Sequence, residues 1–386
     1  ECGPMTAMAG LRVAICFGTF PPQRNGGADF LARFAPALTA AGCAVHVLTS
    51  AGAGPADERL PSGVVVHRTI EDWTICGGAA SLRRANAVLE AERIEVVHVL
   101  FPDSVVQARY QLPALLGRGS VPLVTTFWNL GLGRRSPVPL RLEALALLLR
   151  SKVLSSHDPG YLARLRRLAA GTKRVRWLPV GSNFGGPAVR ARREGPFTLG
   201  FFGQLDFTRG VDTLFEALAR LGRPDLRLVM IGSAGRPERY AADPPALAEF
   251  ERLRALPARL GIQDAVEWTG FLADEEVPQA LADLDLCVLP YRRNSLGRSA
   301  LAAALEAGVP VVLGGRPDRV APLRPGEHVA LVPPDDPGEL ARTIGRLADD
   351  PGERERLAAG ARRAAAFFAW PRIAELAVSL YREALR

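Results

Sequence analysis

The 386-residue chain has two lysines (Lys152 and Lys173), five cysteines and five histidines. It contains no run of about 18 uncharged apolar residues, which excludes a membrane-spanning helix. Its beginning lacks the basic-then-apolar layout of a secretory leader, and Glu1–Gly10 reads as a short tail. The cysteines Cys2, Cys16, Cys43, Cys76 and Cys287 include no close pair. That suits a reducing compartment and offers no metal framework, so cytoplasm is the expected location. No His or Cys spacing has the form of a metal site, and neither a short-period repeat nor a low-complexity tract is present.

Apolar residues, 48% of the chain, are sufficient for a large core. Charge is uneven: residues 1–194 carry 24 Lys+Arg against 13 Asp+Glu, and residues 195–386 carry 24 against 27. The segment Arg134–Arg176 holds 11 basic and two acidic residues. Such a patch fits an anionic membrane surface or a phosphate-bearing acceptor, or is a solvated arginine-rich face. It lacks the interleaved aromatics of a single-strand nucleic-acid site, so no nucleic-acid partner is expected. Within it, Leu140–Leu149 is an apolar run with basic flanks at Arg134, Arg135, Arg150 and Lys152. It reads either as a surface that rests on a membrane or as a buried helix edged with arginines.

Short apolar strands alternate with helical stretches along most of the chain. Leu11–Phe17, Ala44–Thr49, Val64–Arg68, Val96–Leu100 and Pro122–Thr126 read as strands, with helices from about Ala28 to Ala41 and over Ser81–Glu92. A second cycle has strands at Phe197–Phe202, Arg227–Ile231, Val266–Thr269, Leu286–Leu289 and Val309–Leu313. Its helices are Val211–Leu221, Leu247–Leu260, Val277–Leu281 and Leu301–Ala307. This is the pattern of α/β domains with parallel sheets covered on both faces. Gly185–Gly195, rich in Gly, Pro and Arg, is the expected linker. Open parallel sheets bind ligands at the carboxyl ends of their strands, so two such domains facing each other would hold a substrate in the cleft between them.

Several segments, in order, resemble the GT-B glycosyltransferases of family 4. Phe20–Gly27, Phe-Pro-Pro-Gln-Arg-Asn-Gly-Gly, is similar to the family's first loop with its glycine pair. Gly203-Gln-Leu-Asp-Phe-Thr-Arg-Gly210, followed by Val-Asp-Thr-Leu, resembles the family's Gly-Arg…Lys-Gly…Asp-x-Leu segment. Val266–Leu272, Asp285–Pro290, Glu306–Val312 and Trp370–Tyr381 resemble the later strand ends, the motif helix and the last helix. The resemblance implies a fold of two Rossmann-like doubly wound domains facing across a cleft. Residues 11–190 would form an acceptor-side domain, 196–368 a nucleotide-sugar-binding domain, and 369–386 a C-terminal helix crossing back to the first domain. It also implies transfer from a nucleotide-diphosphate sugar to an acceptor hydroxyl, with retention of configuration and with neither metal nor other cofactor. The acceptor would be a small molecule or lipid-linked, and the charge and apolar pattern of 134–176 adds the expectation of peripheral membrane contact on the inner face.

The family's pair of motif glutamates, counted back from Gly308, falls on Ser295 and Ala303. Its phosphate-binding Arg and Lys fall on Gln204 and Arg209, and its histidine after the Thr-Thr strand on about Trp128. The diphosphate that leaves must be stabilised by amides and guanidinium groups. Arg209 and Arg298 are therefore the expected catalytic groups. Gly26, Gly27, Gln204, Gly232, Phe271, Leu272, Ser295, Gly297, Ser299 and Glu306 complete the donor set with them. Ser299 is alternatively a helix cap. Glu306, one turn past Ala303, is either a replacement partner for ribose hydroxyls or a surface glutamate. Asp29, His98, Trp128, Asn129 and His157 are the expected acceptor contacts, with packing or capping as the competing role for each. Two other readings stay open. One is a degenerate nucleotide-binding or partner subunit on the same fold; the other is an epimerase or phosphorylase, since fold does not fix function.

Overall fold

The computed structural model describes residues 10–23, 25–52, 54–74, 77–102, 113–117, 119–133, 136–185, 188, 195–232, 244–293 and 295–386. Arg134, Arg135, Cys2 and Cys76, and most of the expected linker, lie outside them. The chain forms two compact units, residues 1–179 with 370–386 and residues 180–369.

The first unit contains β1 (Arg12–Cys16), α1 (Gly26–Ala40), β2 (Ala44–Ser50), β3 (Asp57–Arg59), β4 (Val65–Ile70), α2 (Ala79–Ala91), β5 (Val96–Phe101), β6 (Leu123–Phe127), α3 (Val138–Arg150), β7 (Val153–Ser156), α4 (Pro159–Leu168) and β8 (Arg174–Trp177). Its sheet has the order β3-β4-β2-β1-β5-β6-β7-β8, parallel except for the edge strand β3. Residues of β5 and β6 are buried throughout, the mark of strands covered on both faces.

The second unit contains β9 (Phe197–Phe202), α5 (Val211–Leu221), β10 (Leu226–Ile231), α6 (Pro244–Arg259), β11 (Val266–Gly270), α7 (Val277–Ala282), β12 (Leu286–Leu289), α8 (Ser299–Glu306), β13 (Val311–Gly314), β14 (Ala330–Val332), α9 (Pro337–Asp349) and α10 (Pro351–Ala365). Its six strands are all parallel, in the order β11-β10-β9-β12-β13-β14. The last helix, α11 (Trp370–Leu385), returns to the first unit and packs on α1. Its buried residues Ile373, Ala377, Tyr381 and Ala384 recur at helical spacing. The Tyr381 hydroxyl meets His98 Nδ1 at 2.8 Å, tying helix to sheet.

Among the boundaries that differ from expectation, two have clear local reasons. Helix α1 starts at Gly26, because Asn25 caps it: its Oδ1 accepts from the Gly27 and Ala28 amides at 2.9 and 2.8 Å. Strand β13 starts at Val311, after Pro310, which has no amide hydrogen to give to a ladder.

Candidate functional site

Each sheet has a point where the chain order reverses. In the second unit it lies between β9 and β12, because β9 leads to β10 on one side and pairs with β12 on the other. Crevices at the carboxyl ends of such strands are where open α/β sheets hold ligands. Gly203 directly follows β9, with φ +138; a side chain there would run into the Arg209 guanidinium, so glycine lets that arginine pass over the strand end.

A tight turn follows. Asp206 Oδ1 accepts from the Thr208 amide at 2.8 Å and also from the Thr208 hydroxyl. Asp206 Oδ2 accepts from Arg209 Nε at 2.7 Å. From the start of α8, Arg298 Nη2 donates to Thr208 Oγ1 at 2.7 Å, and its guanidinium lies 4.9 Å from the centre of the Tyr291 ring. Burial, the largest influence on the Asp206 carboxyl, pushes its pKa up. Arg209, Thr208 and Arg298 outweigh it and hold the group below its ordinary value, as a carboxylate. Tyr291, wholly buried just past β12, has a hydroxyl with no partner among the described residues. Burial raises its pKa, and the nearby arginines oppose the rise.

The expected donor residues divide by place. Gln204, Gly232 and Phe271 lie just past the adjacent strands β9, β10 and β11, with Gln204 exposed and Leu272 half-buried beside the exposed Phe271. Gly297, Arg298 and Ser299 lead into α8. Arg298 is its N-cap residue and makes no side-chain capping bond; Ser299 is already inside the helix, so the alternative of a serine cap is corrected. Ser295 is buried and its hydroxyl donates to the Gly314 carbonyl at 2.7 Å, which commits it to joining the loop to β13. Glu306 is exposed at the far end of α8 and lines a small hollow with Ala303, Phe184 and Leu281. Glu306 is seven positions beyond Ser299 along the helix, about 10 Å.

In the first unit, Gly26 and Gly27 form the first turn of α1. A side chain at Gly27 would strike the Phe17 ring, so this glycine serves close packing of helix on strand end. Asp29 stands in the first turn, but the cap is Asn25, which corrects the expectation of Asp29 as the cap. His98, an expected acceptor contact, is the third residue of β5 and fully buried. Its ring nitrogens meet Tyr381 Oη and Thr126 Oγ1 at 2.8 and 2.7 Å. Burial, aided by His157, pulls its pKa down to about 3.

His157 follows β7 and donates from Nδ1 to the Leu178 carbonyl at 2.7 Å; burial lowers its pKa to about 4. The half-buried Trp128 packs its ring 4.0 Å from the His157 ring and edge-on to Phe30. Trp128 Nε1, a donor, and His157 Nε2, an acceptor in this tautomer, are both buried without a partner among the described residues. Asn129 is exposed and accepts from the Gly131 amide at 2.9 Å, shaping the turn after β6.

Sequence reading missed Asp206, Thr208 and Tyr291; the Asp-x-Thr spacing before Arg209, a turn signature, was the available signal. It also missed His46, His67 and Glu92, whose ligand-type atoms lie within 4.8 Å of one another. Three separate elements bring them together, so no motif announces them. His67 Nδ1 is 2.6 Å from Asp57 Oδ1, and His67 Nε2 is 3.1 Å from His46 Nδ1. The two rings are within 8° of parallel with centres 5.4 Å apart. That separation leaves the facing nitrogens on the line between ring centres, so they point at each other as in an N–H···N bond rather than at a shared third atom.

A family model described as glycosyl transferases group 1 matches residues 187–364, and one described as glycosyltransferase family 4 matches residues 24–177. The chain is 28% identical to the D-inositol 3-phosphate glycosyltransferase of Acidothermus cellulolyticus over 92% of its own length and 85% of that protein. A match at 32% identity to the enzyme of the same name from Streptomyces bingchenggensis covers 48% of this chain and 40% of that one. Among solved structures, sucrose-phosphate synthase from Thermosynechococcus elongatus superposes with a TM-score of 0.74 at 21% identity, covering 96% of this chain and 98% of that one. The Anabaena protein HepE in complex with UDP-glucose superposes with a TM-score of 0.70 at 18% identity, covering 95% and 98%. With one family model on each unit and the two-sheet architecture in common, the chain belongs to the family 4 glycosyltransferases, GT-B enzymes that use a nucleotide-sugar donor.

Proposed function

We propose that the second unit holds the diphosphate of the donor between Arg209, Arg298 and the first amides of α8, and that the enzyme passes the sugar to an acceptor hydroxyl with retention and without a metal. The observation that carries this reading is the convergence of two guanidinium groups at the point where strand order reverses, at the ends of β9 and β12. As the bond from sugar to phosphate breaks, negative charge grows on the leaving diphosphate. Oriented guanidinium groups and helix-start amides stabilise that charge more than they stabilise the bound donor. HepE, of the same fold, was solved with UDP-glucose, which supports this donor class. Gly232, Phe271, Leu272 and Glu306 belong to the same reading as contacts to the rest of the nucleotide sugar, and Gln204 and Ser295 as neutral replacements at charged family positions.

On the acceptor side, Trp128 Nε1 and His157 Nε2 form a donor and acceptor pair suited to one hydroxyl. A membrane-linked acceptor is supported by α3. Val138, Leu142, Leu145 and Leu149 are 45–79% exposed at spacings of four, three and four, while Leu140, Ala144 and Leu147 face the core. Arg150, Lys152 and Lys173 surround its end; the Lys173 ammonium donates to the Ser151 carbonyl at 2.7 Å and to that of Leu149. An apolar ridge edged with cations suits anionic lipid. Among the described residues no helix is long and apolar enough to cross a membrane, so the contact in this reading is peripheral, at the cytoplasmic face.

The missing glutamates at Ser295 and Ala303 favour a second reading, a nucleotide-binding subunit without turnover. Thermal shift and product analysis with UDP-, GDP-, dTDP- and ADP-sugars separate the two. Stabilisation by a nucleotide sugar with transfer or hydrolysis supports the enzyme, stabilisation alone supports the subunit, and no stabilisation overturns both.

A further inference from the structure

We propose that Asp206, acting through Thr208, is the positioning residue that sets Arg209 and Arg298 for the donor diphosphate. The proposal rests on the reading of these arginines given above.

The hydrogen bonds run in one direction. Arg298 Nη2 donates to the Thr208 hydroxyl, that hydroxyl donates to Asp206 Oδ1, and Arg209 Nε donates to Asp206 Oδ2. A guanidinium has no acceptor and a carboxylate has no donor, so each partner has a single possible role. Arg209 is held by Nε alone, and no described residue takes up its two terminal nitrogens. Its outer edge is therefore oriented and still available for a phosphate, which guanidinium binds in bidentate fashion. A free arginine loses rotamer entropy when immobilised; one already held loses less on binding. The carboxylate also lies between two like charges and offsets their repulsion.

Asp206 has a second effect with the opposite sign. As an anion near the proposed phosphate position it repels the ligand, so removing its charge would by Coulomb's law tighten binding. Its charge is already offset by Arg209 and Arg298, which hold it as a carboxylate against its burial, so little net repulsion reaches the ligand while the hydrogen bonds hold the geometry. Orientation should therefore dominate.

The test is calorimetric affinity of the full chain for UDP, GDP, dTDP, ADP and inorganic pyrophosphate, with donor KM and kcat, for wild type, Asp206→Asn, Thr208→Val, Arg209→Ala and the double variant Asp206→Asn/Arg209→Ala. Asp206→Asn keeps the shape but presents the Arg209 Nε–H with a poorer partner. It should weaken the best-bound diphosphate about tenfold and raise KM more than it lowers kcat. Added to Arg209→Ala, it should cost less than it does alone, because part of its action has already gone. Thr208→Val, which removes the hydroxyl that Arg298 donates to and leaves Asp206 in place, should weaken binding by a smaller factor, and it carries the test if Asp206→Asn does not fold. Unchanged or tighter binding in Asp206→Asn, or equal effects of that change in the presence and absence of Arg209, would overturn the positioning role. Failure of wild type to bind any of these probes would instead overturn the donor-site reading beneath it.

Discussion

Thr208 and Arg298 are 90 residues apart in the chain and share a hydrogen bond. Their motifs were visible separately in the sequence, Arg209 before its glycine and Arg298 before an Ala/Leu helix. The link through Asp206 was not, because it depends on two loops brought together at neighbouring strand ends. Ser295 shows the same limit: its alignment position suggested a donor contact, and only the fold reveals that its hydroxyl is spent on Gly314. Replacing Arg209 with Ala is expected to weaken nucleotide-diphosphate binding about 10- to 100-fold, the size of a lost charge-assisted pair of hydrogen bonds. Titration calorimetry checks this, and unchanged affinity would remove Arg209 from the site. Lysine at the same place should rescue only part of the loss, since one ammonium cannot reproduce the guanidinium's fixed fork.

At the scale of the element, α3 is legible as an amphipathic compromise. Its apolar run was plain, but whether it faced the core or solvent was not, because leucines occupy both faces. The fold shows that both uses occur, with an inward set packed on the sheet and an outward set exposed. Exchanging Leu142 and Leu149 for Gln should reduce co-sedimentation with phosphatidylglycerol vesicles at least tenfold and leave unfolding stability nearly unchanged. Equal binding by the double variant would sink the membrane reading of this helix.

The inner face of α3 carries a buried carboxyl, Glu143, which accepts from the Ala114 amide at 2.9 Å. Burial pushes its pKa up to about 8, against the pull of that amide. Between its ordinary value and about pH 8 the folded state therefore holds a proton that the unfolded chain has released. The contribution of Glu143 to stability should fall as pH rises through this window, by up to roughly 1.4 kcal/mol per unit. Glu143→Gln should flatten that slope in denaturant titrations from pH 5 to 8; an identical slope in the variant would show that the carboxyl is not its source.

For the whole molecule, the alternation of strand and helix was enough to indicate two parallel sheets, since buried parallel strands read as short, continuous apolar runs. The edges were less readable. Strand β3 is three residues, Asp57–Arg59, with a charged sequence, and is recognisable only by its pairing with β4. The return of α11 onto α1 places His98 and Tyr381, 283 residues apart, in one hydrogen bond. Tyr381→Phe should cost about 1–2 kcal/mol in the unfolding of the first unit, because it leaves a buried histidine nitrogen without its partner. Chemical denaturation followed by a first-unit tryptophan measures this, and a loss below a few tenths would mean that the hydrogen bond has little weight.

His98 and His157 are kept neutral with pKa values near 3 and 4. Below about pH 6.5 the unfolded chain binds protons that these folded residues refuse, so their contribution to stability should decline as pH falls from there toward 4, against the opposite trend from Glu143. A flat stability profile across that range in the Glu143→Gln variant, where the opposing carboxyl is gone, would contradict their burial.

A crystal structure of the protein with a bound nucleoside diphosphate or its sugar tests the central claim most directly. Diphosphate oxygens are expected within hydrogen-bonding distance of the outer edge of Arg209 and of the first amides of α8, at the carboxyl ends of β9 and β12. A diphosphate held elsewhere, with Arg209 and Arg298 turned away from it, would contradict that claim.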